Sequence, residues 1–72
     1  MNIDEFCTIW INPDATYAML YRDERDHIGL HDPIAVSRLL FTLNNMRDVW
    51  SMLRDEITNG EWKRFIRKDK AL

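Results

Sequence analysis

The apolar positions of this chain change period part-way along. Residues 3–11, IDEFCTIWI, are rich in β-branched and aromatic side chains and predict a strand. Alternation sends Phe6, Thr8 and Trp10 to one face and Cys7, Ile9 and Ile11 to the other. NPDA at 12–15 predicts a turn, because Pro13 presets φ and the Asn12 and Asp14 side chains can bond their own backbone. TYAMLYR at 16–22 predicts a returning strand with Tyr17, Met19 and Tyr21 on one face, so residues 1–22 read as a β-hairpin. DERD at 23–26 reads as a solvated link. HIGLH at 27–31 is taken as an irregular crossing segment, with a short third strand as the alternative, so 23–31 forms a linking segment.

From residue 32 the period becomes helical. Asp32 can cap free amides, and Pro33 suits the first helical position. Val36, Leu39, Leu43, Met46, Trp50, Leu53 and Ile57 follow at alternating spacings of 3 and 4, which predicts a helical part over 33–58 stopped by Asn59-Gly60. A straight helix of that span would be about 39 Å long at 1.5 Å per residue. Asn44-Asn45 are weak helix formers in the middle of it. The stripe therefore predicts one long kinked helix or two antiparallel helices. Beyond Gly60, Trp62, Phe65 and Ile66 stand at i, i+3, i+4 and predict a short C-terminal helix or tail over 61–72. The expected fold class is α+β: a single domain over 1–72 in which the N-terminal β-hairpin packs on these helices.

Composition narrows the class. With 46% apolar and 31% charged residues, the chain has the balance of a folded domain. At 72 residues it is near the size at which one core is only just sufficient. It is also short for enclosing a substrate cleft of roughly 300 Å³, which favours a binding protein over an enzyme. The single cysteine, Cys7, rules out an internal disulfide and suits a reducing, cytoplasmic compartment. No apolar run reaches membrane-spanning length. The first ten residues lack the basic and apolar regions of a secretory signal.

The net charge of −2 is unevenly spread. Residues 1–32 hold seven acids against Arg22 and Arg25, residues 33–60 balance, and residues 61–72 hold five bases against Glu61 and Asp69. All three lysines, Lys63, Lys68 and Lys70, lie in that last segment.

Candidate chemistry is sparse. His27 and His31 have HxxxH spacing, but the intervening Gly29 opposes the helix that would bring two imidazoles together, so no metal or cofactor site is expected. Cys7 sits inside a strand near Asp4 and Glu5, the wrong setting for a reactive thiolate. Asp23, Glu24 and Asp26, and then Asp55-Glu56, read as solvated carboxylates. No catalytic residue is expected. The Val36–Ile57 stripe reads as a core-facing helix surface, which favours a monomer, with a homodimer seam as the alternative.

Eight aromatic residues exceed what a hairpin and one or two helices can bury. The surplus, with arginine, predicts a protein interface made of Tyr17, Tyr21 and Arg22 on the second strand and Trp62, Lys63, Arg64, Phe65 and Arg67 in the tail. Direct nucleic-acid contact is secondary, since the acidic half would repel phosphates, and a membrane partner is not expected. Unpaired strand edges offer a further mode, addition of a partner's extended segment.

In size, cysteine poverty, slight acidity and aromatic content the chain resembles small phage-encoded proteins that bind a large host machine and change its behaviour. The resemblance lies in general character and transfers no functional residue. It implies a non-enzymatic regulator of the host cytoplasm that binds bacterial RNA polymerase and alters transcription initiation or termination, antitermination included. An inhibitor of a defence nuclease complex and a small dimeric nucleic-acid-binding repressor are the alternatives.

Overall fold

A computed structural model of the chain describes residues 2–54 and 60–70. Five strands form one antiparallel sheet: β1 (Thr8–Ile11), β2 (Ala18–Tyr21), β3 (His27–Leu30), β4 (Trp50–Arg54) and β5 (Lys63–Arg67). Their order across the sheet is β3-β2-β1-β5-β4. One α-helix, α1 (Pro33–Asn45), is present among the described residues, with single 3-10 turns at Ile3–Glu5 and Lys68–Lys70.

The hairpin and the helix start lie where the sequence puts them, but the first strand is shorter than expected: Ile3–Glu5 is a 3-10 turn, and Phe6 enters the core with Ile9 and not the face of Thr8 and Trp10. Ile9 pairs with Leu20 and Trp10 with Met19. Asp32 caps α1, its Oδ1 accepting from the Ile34 amide at 3.0 Å, and Pro33 opens the helix. The rest of the expected fold is overturned, because a mostly-sheet architecture replaces the hairpin on long helices. The helix ends at Asn45, where the Met46 amide bonds back to Thr42 and Leu43, and a turn leads into β4. A continuous helix of about 39 Å would exceed the longest dimension of the molecule, 28 Å.

Two further segments differ from expectation. HIGL at 27–30 is a paired strand rather than a crossing loop, with Leu20 opposite Ile28. The basic tail forms β5, set between β1 and β4, with Phe65 opposite both Ile9 and Met52. Its residues satisfy either period, and pairing on both sides selects the strand, since each residue there has a neighbour for both backbone groups. Gly60 does take a left-handed φ of 75°. Ile57, the 55–58 stretch of the expected helix, the Asn59 stop and positions 71–72 of the tail lie outside the described residues.

The pairing register sorts side chains onto two faces. Ile9, Ile11, Ala18, Leu20, Trp50 and Phe65 share one face and pack with Val36, Leu39 and Leu43 of α1 and with Phe6. Among the described residues these ten form the buried core cluster, so Val36, Leu39, Leu43 and Trp50 of the apolar stripe are used inside the molecule. No helix among the described residues is long and apolar enough to cross a membrane.

Candidate functional site

The opposite sheet face carries no helix among the described residues. Alternation places Tyr21 and Met19 of β2, Thr8 and Trp10 of β1, Arg64 and Ile66 of β5, Ser51 and Leu53 of β4 and His27 of β3 on it. Trp10, Met19, Tyr21, Arg64 and Ile66 are half-buried by one another, while His27 and Leu53 are exposed.

Local structure holds this face in shape. Asn12 builds the β1–β2 loop: its Oδ1 accepts from the Thr16 and Tyr17 amides, both at 2.9 Å, and its Nδ2 donates to Thr16 Oγ1 at 2.9 Å. Ala15 takes φ 54° within the loop, a conformation costly for a residue with a Cβ. The loop delivers Tyr17 to a slot between His31, whose ring centroid is 4.5 Å away at 61°, and Trp62, 6.2 Å away at 76°. Both are edge-to-face contacts, the arrangement that aromatic quadrupoles favour. The Tyr17 hydroxyl occupies the space that a Cβ on Gly29 would need, so this strand glycine marks a close approach.

At the other end of the face, Tyr21 stacks on His27 with centroids 5.4 Å apart and 28° between planes. In the middle, the Arg64 guanidinium lies 5.0 Å from the centroid of Trp10, a cation–π contact of about 0.5–2 kcal/mol between half-buried groups. A recess of about 330 Å³ opens beside this pair, lined by Cys7, Thr8, Trp10, Tyr21 and Arg64 and by Asp23 and Glu24 of the β2–β3 turn. Cys7 is buried, its Sγ donating to the Tyr21 carbonyl at 3.4 Å. Asp23 is held below the usual carboxylate range, chiefly by accepting from the Arg25 amide at 2.7 Å and further by the Asp26 amide at 3.2 Å.

The eight expected interface residues divide. Tyr17, Tyr21, Trp62 and Arg64 gather on the open face. Phe65 does not, being buried in the core at 3% exposure. Lys63 and Arg67 fall on the helix side of the sheet by alternation. Arg67 bonds Asp69 at 2.8 Å and Asp4 at 3.0 Å, contacts that raise its pKa, with Asp69 the larger cause. Arg22 pairs with Asp26 at 3.2 Å in the β2–β3 turn.

Trp10, Met19, His27 and His31 were not among the expected interface residues, yet they belong to this face. For Trp10 and Met19 the signal was present, because hairpin alternation already set Trp10 with Thr8, and Met19 with Tyr17 and Tyr21. For His27 and His31 it was missing, since nothing before β3 pairs announces a strand. No cluster of three or more His, Cys, Asp or Glu side chains suited to a metal forms among the described residues. Comparison with known protein families, characterised proteins and solved structures finds no match.

Proposed function

We propose that this protein is a non-enzymatic regulator that docks the open face of its sheet on the surface of a much larger protein. RNA polymerase is the partner its overall character suggests, and altered initiation or termination the consequence. The observation that carries the reading is the partition of the aromatic residues. Of the eight aromatic residues, Phe6, Trp50 and Phe65 fill the core, Phe41 is exposed on α1, and Trp10, Tyr17 and Tyr21, with Trp62 against Tyr17, lie on the face that α1 leaves bare. Half-buried tyrosine and tryptophan around one arginine, with lysine away from the centre, is the composition of an interface core. The side chains are already packed on one another, so docking immobilises few rotamers.

A second reading, a stacking platform for single-stranded nucleic acid, is favoured by the Arg64–Trp10 pair. Phosphate contacts are what it lacks: Lys63 and Arg67 project from the other face, and Lys68 Nζ donates to the Arg47 carbonyl at 2.7 Å.

The test is an affinity capture from bacterial lysate with and without nuclease, followed by direct binding to the captured protein. Tyr21→Ala and Trp10→Ala are expected to weaken capture of polymerase subunits at least tenfold and to leave folding intact, whereas Lys63→Ala is expected to have little effect. Subunits that disappear with nuclease would hand the face to nucleic acid. Capture of nuclease subunits instead of polymerase would make the protein a defence inhibitor acting through the same face.

A further inference from the structure

Among the described residues the sheet has two unpaired edges, β3 and β4, and they are built differently. Two backbone hydrogen bonds set the phase of the ladder. Arg67 N–H donates to the Cys7 carbonyl at 3.0 Å and Lys68 N–H to the Val49 carbonyl at 2.7 Å. Alternation from these bonds turns Ser51 and Leu53 inward to β5 and leaves the N–H and C=O of Met52 directed outward from β4. At this edge stand Met52, 62% exposed, and Leu53, 39% exposed. An edge with an outward backbone and bare apolar side chains is a template for another strand.

The edge is complementary to itself. In a two-fold antiparallel pairing centred on Met52, that residue meets its own copy, Ser51 meets Leu53, and Trp50 meets Arg54. The two Arg54 side chains then stand about 13 Å apart along the strands, at ~3.3 Å per residue, beyond the screening length at physiological salt, about 8 Å. The β3 edge lacks this property. The same pairing centred on Gly29 would set Asp26 directly against Asp32 of the second copy, a repulsive cross-strand pair.

We propose that two copies of this chain join β4 to β4 into one continuous ten-stranded sheet. Opposed residues in such a pair share a face, so the two helices lie on one side and the two open aromatic faces on the other. The dimer doubles the proposed docking surface, but the pairing itself rests on the edge and not on what that surface binds. It is also distinct from a seam along the apolar stripe, of which Val36, Leu39, Leu43 and Trp50 are buried.

Sedimentation across a concentration series tests it, with Met52→Lys as the disrupting variant. A side chain 62% exposed in the single copy tolerates the change, while the pair would oppose two charges at its axis. The wild type is expected to shift from monomer to dimer mass, and Met52→Lys to remain monomeric with an unchanged far-ultraviolet spectrum. Met52→Cys gives an independent readout. Opposed residues in a hydrogen-bonded pair sit about 5.5 Å apart at Cα, within disulfide range, and Cys7 is buried. That variant is expected to cross-link at least tenfold faster than Phe41→Cys on the outer helix surface, where exposure is 68%. A wild type still monomeric at about 1 mM, a dimer that survives Met52→Lys, or equal cross-linking by the two cysteine variants would each overturn the proposal.

Discussion

The two faces of the sheet are made from the same strands and have opposite chemistry. On the covered face, Ile9, Leu20, Phe65 and Trp50 meet α1 and are all 3% exposed or less. On the open face, one residue along each strand, Trp10, Tyr21, Arg64 and Ser51 meet no helix among the described residues and stay half-buried. A sheet with a single covering helix must leave one face wet, and antiparallel sheets permit that because their side chains segregate by alternation. What differs is the kind of apolar residue. Aliphatic chains, Phe65 and one tryptophan, Trp50, fill the dry side, while both tyrosines and the remaining tryptophans lie on the wet one, where Tyr and Trp can keep water at one end.

The contrast is sharpest in a pair of truncations. Phe65→Ala is expected to cost about 3–5 kcal/mol, comparable to all that a core in a chain this small supplies, so the variant should lose its cooperative unfolding transition. Tyr21→Ala, on the other face of a neighbouring part of the sheet, is expected to cost about 1–2 kcal/mol because its ring is only partly withdrawn from water. Urea denaturation of both measures the difference. Equal losses would mean that the open face is a second core and not a free surface.

A smaller effect probes how rigid the open face is. Gly29→Ala drives a methyl group into the Tyr17 hydroxyl, and the ring is hemmed by His31 and Trp62. The expected cost is about 1–3 kcal/mol, the range for overpacking, with a changed near-ultraviolet spectrum and an unchanged far-ultraviolet one. A silent substitution would show that Tyr17 swings aside freely.

The smallest effect concerns the turn that borders the open face. The Asp23 carboxylate titrates below its ordinary value because the Arg25 amide, and then that of Asp26, bond its charged form. A lowered folded-state pKa adds stability above the unfolded-state value and loses it as pH falls through the folded-state one. Carboxyl NMR titration should therefore place the Asp23 midpoint below that of an unfolded aspartate, and Asp23→Ala should flatten the acid limb of stability slightly. A midpoint at the ordinary value would remove this anchor from the turn.

The expected interface was legible only in part, for a related reason. Tyr17 and Tyr21 sit in a strand whose alternation is plain, so their shared face could be read in advance. The tail residues were taken as one patch because they are adjacent in sequence. In a strand, adjacency means opposite faces, and Arg64 therefore separates from Lys63, Phe65 and Arg67.

What the chain determined by itself is local. The Asn12–Asp14 turn, the alternation of β1 and β2, and the Asp32-Pro33 helix start each depend on contacts a few residues apart, and each forms where expected. What the tertiary structure alone decided is β3, which becomes a strand only by pairing with β2, and the described residues between Asn45 and Asp69. In that second stretch Trp50 and Leu53 continue a helical spacing, Trp50 and Met52 equally satisfy a strand, and Trp62, Phe65 and Ile66 fit both periods. Short apolar runs do not choose between these states. The choice came from β1, whose free side offered Thr8–Ile11 as partners for Lys63–Ile66 from the far end of the chain. Hydrogen bonds on both sides of β5, together with burial of Phe65 and Trp50 under α1, outweigh anything an isolated helical tail would gain.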